Sequence, residues 1–162
     1  MEFDAPVRLA DGRYFARLKG QAEYVSIQNV RFGERTSETE IELSNADKIS
    51  AYDVRCIAAA VDNSKTWFNK VIASEVLASY YQSGYDAETK KLEVEGADKV
   101  VCFSASKDII ETIDQGTPCT VLLQLEGLWF LRKTFGPVWK LVQARVKPVP
   151  EPVKCLIQDE ED

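Results

Sequence analysis

Apolar and polar positions alternate in two stretches near the start of the chain. Residues 25–32 form a β-like stretch that Gly33 ends, and residues 39–43 alternate without interruption. Because successive side chains of a strand point to opposite faces of the sheet, both stretches predict β-strands. Residues 14–18 predict a shorter strand before them.

The spacing of apolar residues changes to three and four positions after Asn45, which is typical of one face of a helix. The residues on that face are Ile49, Tyr52, Cys56 and either Ile57 or Ala60. The pattern predicts a helix over residues 45–61, with Asn45 or Asp47 as its cap. A second helix is predicted after Ser74, which is a suitable N-cap, and it ends at Ser83-Gly84.

The second half of the chain has the pattern of a sheet. Strands are predicted over residues 92–95, 100–103, 120–131 and 139–146, a short helix over residues 106–113, and a turn at Gly136-Pro137. The element order predicts an α+β fold that is mainly β. Five or more strands with a mid-chain helical insertion suit an OB-like barrel. We predict one domain over residues 1–147, followed by a proline-rich exit and a flexible acidic tail over residues 148–162.

Alternation along the last predicted strand divides its side chains between two faces. Val142, Ala144 and Val146 share the face that we assign to the core. The opposite face, predicted to meet solvent, carries Leu141, Gln143, Arg145 and Lys147. It lies next to the turn with Arg132 and Lys133. Such a surface suits a phosphate backbone, although a basic hairpin is also typical of a solvated face with no ligand.

The aromatic residues of this hairpin have two interpretations. Trp139 and Phe130 lie in strand positions, where large aromatic side chains more often belong to the core. Phe135, beside Gly136, is harder to bury in a turn and is the better candidate for stacking on a base.

Composition limits the class of protein. The chain has 162 residues, of which 45% are hydrophobic and 28% charged, as in one soluble globular domain. No apolar run approaches the ~20 residues that span a bilayer, and the first residues lack the features of a signal peptide. We therefore expect an intracellular protein without a membrane segment.

Candidate catalytic chemistry is sparse. The chain has no histidine, which removes the usual general base and the commonest metal ligand. The four cysteines are far apart, so we expect reduced, mostly buried thiols and no metal site; they are Cys56, Cys102, Cys119 and Cys155. We predict a protein that is not an enzyme and needs no cofactor.

The acidic charge is concentrated at the C-terminus. The net charge is −6, and four of those charges lie on the last four residues, so residues 1–158 carry only −2. A locally basic groove is compatible with this balance. The apolar residues of the tail come before its acids; together they are Val153, Leu156, Ile157, Asp159, Glu160, Glu161 and Asp162. Such a tail can dock on a partner or fold back on the basic hairpin.

Three features together resemble a known family. They are the strand-rich body with a mid-chain helix, the acidic C-terminus, and the hairpin G-L-W-F-x-x-K-x-F-G-x-x-W-x-L-V-Q that begins at Gly127. The chain resembles the OB-fold single-stranded DNA-binding proteins of large eukaryotic DNA viruses, and is distantly similar to those of phages. Most of the likeness lies between Trp67-Phe68-Asn69-Lys70 and Val146.

The resemblance implies a protein that coats single-stranded DNA during viral replication, recombination or repair, in the host cytoplasm or nucleus. It implies that the tail recruits a polymerase or helicase, and it leaves a homo-oligomer open. The implied phosphate contacts are Arg132, Lys133, Lys140, Arg145 and Lys147, and the implied stacking residues are Trp129, Phe135 and Trp139, with Tyr80, Tyr81 and Tyr85 as additions. The family's tail commonly ends on an aromatic residue, whereas this one ends on Asp162.

Three other interpretations remain open from the sequence. The main alternative is a viral structural or protein-interaction module that binds no nucleic acid, because Trp, Tyr and Arg are also enriched at protein interfaces. The others are a dimer contact through the basic hairpin and an uncharacterised enzyme.

Overall fold

A computed structural model describes residues 1–33 and 40–148 of the chain. Within these ranges the strands are β1 (Glu2–Phe3), β2 (Val7–Arg8), β3 (Tyr14–Lys19), β4 (Glu23–Phe32), β5 (Glu40–Leu43), β6 (Tyr85–Asp86), β7 (Lys91–Glu93), β8 (Val101–Phe103), β9 (Ile109–Ile110), β10 (Cys119–Leu131) and β11 (Thr134–Val146). The helices are α1 (Asp47–Asp62), α2 (Ser64–Phe68) and α3 (Ser74–Tyr80). None of the helices in the described ranges has the length and apolar character that crossing a membrane requires.

Five of the strands close into a barrel. Their order is β7-β5-β4-β10-β11, and each of these neighbouring pairs is antiparallel. Glu95, just beyond β7, closes the ring by a parallel bridge to Lys140 of β11. Its backbone N–H donates to the carbonyl of Trp139 at 2.7 Å, and its carbonyl accepts from the N–H of Leu141 at 2.8 Å. The predicted α+β, OB-like class with a mid-chain helical insertion is confirmed.

The barrel interior is filled by alternate residues of the long strands. Val25 and Ile27 of β4 and Val121, Leu123 and Leu125 of β10 are all buried, whereas the residues between them are exposed or half-buried. This is the alternation that a strand with one solvated face requires.

The helical segment joins β5 to β6 and lies against the barrel. The α1 helix buries Ile49, Cys56 and Ala60, which confirms the helical spacing predicted for this segment. It begins at Asp47 and its N-cap is Ala46, so the prediction of Asn45 or Asp47 as the cap is wrong. The side-chain oxygen of Asn45 accepts a hydrogen bond from the N–H of Asp47 at 2.8 Å. The prediction that Ser74 is the N-cap of a helix is wrong by one residue, because Ser74 is already the first residue of α3 and the N-cap is Ala73.

The helix predicted over residues 106–113 is wrong. The segment is a tight turn followed by β9, which pairs with β8. The N–H of Ser104 donates to the carbonyl of Asp108 at 2.7 Å, and the N–H of Asp108 donates to the hydroxyl of Ser104 at 3.2 Å. Serine and aspartate side chains offer the backbone local hydrogen bonds that compete with a helix.

The turn predicted at Gly136-Pro137 is also wrong. The chain reverses earlier, at Arg132-Lys133, and β11 already begins at Thr134. Gly136 serves a close approach within the strand, because a Cβ atom there would lie 2.2 Å from the carbonyl oxygen of Gln82. A glycine is thus required here because the backbone at Gln82 passes close to β11, and not because the chain turns.

The predicted faces of β11 are partly correct. Ala144 is buried as predicted, and Gln143, Arg145 and Lys147 are exposed as predicted. Leu141, however, is buried, which contradicts its assignment to the solvent face. Leu123 pairs with Leu141 whereas Leu122 pairs with Gln143, so Val142 is an extra residue in the ladder. This bulge shifts the alternation of β11 by one position.

Three cysteines are free and buried as predicted, namely Cys56, Cys102 and Cys119. Cys155 lies outside the described residues, as do the tail positions Leu156, Ile157, Asp159, Glu160, Glu161 and Asp162. Within the described ranges, no cluster of three or more His, Cys, Asp or Glu side chains could hold a metal ion.

Candidate nucleic-acid interface

The basic residues of the predicted hairpin do not form one patch. Arg132 and Lys133 lie at its tip, Lys140 lies midway along β11, and Arg145 and Lys147 lie at the far end. At roughly 3.3 Å per residue, about 40 Å of strand separates Lys133 from Arg145. The structure therefore divides the predicted phosphate contacts among separate sites.

Two of the three predicted stacking residues belong to the core. Phe135 is 0% exposed and Trp139 is 2% exposed, so neither presents a ring face on which a base could stack. Phe135 packs against Phe130, Tyr81 and Phe68, with centroid distances of 5.9, 5.2 and 6.0 Å. Their stacking role is thus contradicted, because tertiary packing covers both sides of this part of β11.

Trp129 differs from these two. Its side chain is half-buried, and the guanidinium of Arg13 lies 6.0 Å from its ring centroid. It points to the opposite face of β10 from Phe130, since successive residues of a strand alternate. The ring also lies close to Gly136, where a Cβ atom would be 3.0 Å from the indole nitrogen.

A cleft with aromatic walls lies at the hairpin tip. We call it the tip cleft; its volume is about 870 Å³. The aromatic residues that line it are Tyr14, Trp67, Phe68, Tyr80 and Phe130, and the cations that line it are Lys70, Arg132 and Lys133. Among the residues that the structure describes, no Asp or Glu lines this cleft.

The end of α2 positions one wall of the tip cleft. Asn69 follows the helix with φ at 61°, the left-handed conformation that commonly ends a helix and that asparagine tolerates better than most residues. Trp67 makes edge-to-face contacts with Phe3 and Phe130, at centroid distances of 5.4 and 5.1 Å. These contacts hold the indole in place before any ligand arrives.

The cations of the tip cleft have no acidic partner in the described part of the chain. The ion pairs found there are Arg13–Asp11 and Arg55–Glu23. Arg132, Lys133 and Lys70 are exposed and belong to neither pair. The rim is therefore positive although the whole chain is acidic, and it suits an anionic ligand.

A half-buried carboxylate supports the structure behind the cleft. Asp53 of α1 accepts hydrogen bonds from the hydroxyls of Tyr81 at 2.5 Å and Ser83 at 2.7 Å. Burial raises the pKa of Asp53, and these two hydrogen bonds oppose that shift. Burial also raises the pKa of the nearby Cys56 thiol to about 12. Tyr81 is thus part of the scaffold.

Five of the aromatic and basic residues that line the tip cleft were missed as site residues from the sequence, namely Tyr14, Trp67, Phe68, Lys70 and Phe130. A signal was present in Trp67-Phe68-Asn69-Lys70, which combines aromatic and basic residues as the hairpin does. What the sequence did not show is that α2 brings this segment to the hairpin tip.

Comparisons with known proteins give a family and a structural likeness. A search of curated proteins finds no match. The single-stranded DNA-binding protein of bacteriophage Enc34 matches over 100% of this chain and 98% of its own, at 11% identity and a TM-score of 0.49. The same protein in complex with single-stranded DNA matches over 93% of this chain and 98% of its own, also at 11% identity and a TM-score of 0.49.

The family is shown by sequence. Residues 23–155 match the model of a family described as a family of unknown function (DUF5871). This match covers most of the chain, from the first residue of β4 into the tail, and the chain belongs to this family.

Proposed function

We propose that this protein binds single-stranded DNA through the tip cleft. The observation that carries the proposal is the composition of that cleft, where aromatic side chains form the walls, three cations form the rim and no described acid takes part. Proteins that bind single strands combine these two elements, with cations along the backbone and aromatic rings under the bases.

The aromatic walls favour a single strand over a duplex. A ring can stack on a base only where the base is unpaired and turned out of its helix. Trp67 and Phe68 are half-buried and already held by neighbouring rings, so they lose little freedom when a base stacks on them. Each such base contributes about 1–3 kcal/mol to binding.

The three cations have a different role from the aromatic residues. Arg132 and Lys133 form the two-residue turn of the hairpin, and Lys70 lies at the end of the opposite wall. Phosphates on either side of a stacked base would meet these groups. Their contribution is electrostatic and independent of sequence. Binding therefore weakens as the salt concentration rises, because the release of counterions from the DNA becomes less favourable.

On this basis we further propose that the protein coats single strands during DNA replication, recombination or repair of a virus. The proposal extends the binding activity and depends on it. A protein-interaction module remains the alternative, since aromatic and arginine side chains also dominate protein interfaces.

The test is a titration followed by tryptophan fluorescence, with oligo(dT), the RNA oligo(U) and a DNA duplex at low and moderate salt. We expect oligo(dT) to quench the emission, the duplex to have a weak effect, and higher salt to reverse the quenching. A Trp67→Phe variant identifies the reporter, because it keeps an aromatic wall and should lose most of the signal. Unchanged emission at low salt, with no binding by filter retention, would favour the interaction module.

A charge variant locates the binding site. The double variant Arg132→Ala/Lys133→Ala should bind oligo(dT) more weakly, with a slope of log affinity against log salt reduced by about 1.4, or about 0.7 for each lost contact. The matched control is Lys19→Ala/Lys91→Ala, which removes two exposed cations of other strands. Equal affinities and slopes for the two double variants would place the binding site elsewhere.

A further inference from the structure

A second groove lies on the outer face of the barrel, where β4, β10, β11 and β8 run side by side. We call it the outer groove; its volume is about 310 Å³. The residues that line it and carry the argument are Ser26, Phe103, Lys107, Leu122, Gln143 and Arg145. Among the described residues, no Asp or Glu lines it.

Strand register explains why these side chains meet. Arg145 of β11 pairs with Phe103 of the parallel strand β8, so an aromatic ring and a guanidinium share one face of the sheet. Leu122 of β10 pairs with Gln143 on one side and with Ser26 on the other. These two rows face outward, since the residues between them, Val121 and Ala144, are buried in the core.

The turn between β8 and β9 brings a second cation to the groove. Lys107 has φ at 71°, a left-handed conformation that costs energy for any residue with a Cβ atom. The N–H of Lys107 donates to the carbonyl of Ser104 at 2.9 Å, which fixes the turn. Asp108, the acid of this turn, accepts a hydrogen bond from the hydroxyl of Ser106 at 3.1 Å. Glycine would suit this backbone conformation better, and the lysine that stands there lines the groove.

Two further cations, which do not line the outer groove, contact β4. The ammonium of Lys48 donates to the carbonyl of Ser26, and that of Lys147 donates to the side-chain oxygen of Asn29 at 2.9 Å. Neither these two nor Lys107 and Arg145 belong to an ion pair in the described part of the chain. The groove thus combines an apolar floor and one aromatic ring with a positive border.

We propose that the outer groove binds one nucleotide, with the base against Phe103 and Leu122 and the phosphate between Lys107 and Arg145. The volume is at the small end of the range for ligand sites, which suits a single unit rather than a stretch of strand. Gln143 supplies an amide that can both donate to and accept from the edge of a base.

The nucleotide has two possible sources. It belongs either to a strand that is also held elsewhere on the protein, which rests on the proposed function, or to a free nucleoside monophosphate, which does not. Two experiments separate the sources, and both use the full chain.

The first experiment is calorimetric titration with thymidine monophosphate. We expect binding by the native protein and about tenfold weaker binding by Arg145→Ala, as for the loss of one charge-assisted hydrogen bond. Lys107→Gly should also weaken binding while leaving the melting temperature equal or higher, because glycine relieves the left-handed backbone. Lys91→Ala is the matched control and should bind as the native protein does.

The second experiment is photocrosslinking with oligo(dT) that carries one 5-iodouracil, followed by mass spectrometry. A crosslink at Phe103 that Arg145→Ala abolishes and Arg132→Ala/Lys133→Ala retains supports the strand as the source. Binding of the monophosphate without that crosslink supports the free nucleotide.

Failure of both experiments overturns the proposed groove even if oligo(dT) quenches tryptophan emission, in which case the tip cleft stands alone. Conversely, binding of the monophosphate at the groove without any binding of oligo(dT) would refute the proposed function and retain the groove.

Discussion

The two halves of the β10–β11 hairpin are both paired as antiparallel strands, but they differ in how far their side chains are buried. At the open end of the hairpin, over residues 119–125 and 140–146, the inward side chains are buried and most outward side chains reach water. In the half near the tip, five consecutive residues of β11 are buried, Phe135 to Trp139. The first half behaves as the wall of a barrel, and the second as a strand covered on both faces.

The cause of this difference lies in distant segments. One face of the tip half is covered by the aromatic cluster that α2 supplies, through Phe68 against Phe130 and Phe135. The chain after α3 runs along the same part of β11, where the N–H of Gln82 donates to the carbonyl of Phe135 at 2.8 Å. Burial in a strand therefore depends on what the rest of the chain brings to it, and a ligand surface forms only where that cover ends.

The largest loss of stability should come from removing a core ring from the tip half. Phe135→Ala removes a ring that is 0% exposed and touches three other rings, so we expect a loss of about 4 kcal/mol in the free energy of unfolding. Gln143→Ala, an exposed position of the same strand, should change it by less than about 0.5 kcal/mol. Denaturant unfolding measures both, and similar losses would remove the distinction between the two halves.

The sequence predicted the wall of the barrel better than the covered half. Alternation was sufficient to predict the strands β4 and β5, and the spacing after Asn45 was sufficient for α1. Gly136-Pro137 was interpreted as a turn because these residues usually interrupt strands. No local pattern shows that Gln82 passes against Gly136 or that Trp67 reaches Phe130, since both contacts depend on how separate segments pack.

The candidate site was predictable to a similar extent. The exposed cations at the two ends of the hairpin were identified from composition and alternation, and so was the association of aromatic with basic residues. The sequence could not show that Arg132 and Arg145 lie at separate sites, because that requires the strand geometry. It also could not show that Phe135 and Trp139 are covered.

A smaller loss of stability should distinguish Leu141 from its neighbour Val142 at the bulge in β11. Leu141 is 1% exposed, so Leu141→Ala should cost about 3 kcal/mol, whereas Val142→Ala, at the half-buried extra position, should cost less than about 1 kcal/mol. Unfolding by urea measures the difference. The reverse order would restore the simple alternation that the sequence suggested and would contradict the bulge.

The next smaller loss of stability should come from the close approach at Gly136. Gly136→Ala adds a Cβ atom 2.2 Å from the carbonyl oxygen of Gln82, and the backbone must shift to accept it. We expect a loss of about 2 kcal/mol in the free energy of unfolding, typical of an overpacked position. Thr120→Ala, in the wall half, is the control and should have little effect. Native stability of the Gly136 variant would mean that the segment after α3 can move away from β11.

The smallest effect concerns the carboxylate that holds this segment in place. Burial raises the pKa of Asp53 above its ordinary value of 3.8, so the folded protein binds a proton more readily than the unfolded chain does. Stability from this group therefore increases as the pH falls through the raised pKa toward 3.8, and it decreases as the pH rises through the same window.

The variant Asp53→Asn tests this dependence, because its amide cannot take up the proton and can still accept a hydrogen bond from Tyr81. We expect the native protein to gain about 1 kcal/mol or less relative to the variant between neutral pH and pH ~4, measured by urea unfolding at each pH. A constant difference across that range would show that Asp53 titrates alike in both states, and that its hydrogen bonds from Tyr81 and Ser83 offset its burial fully.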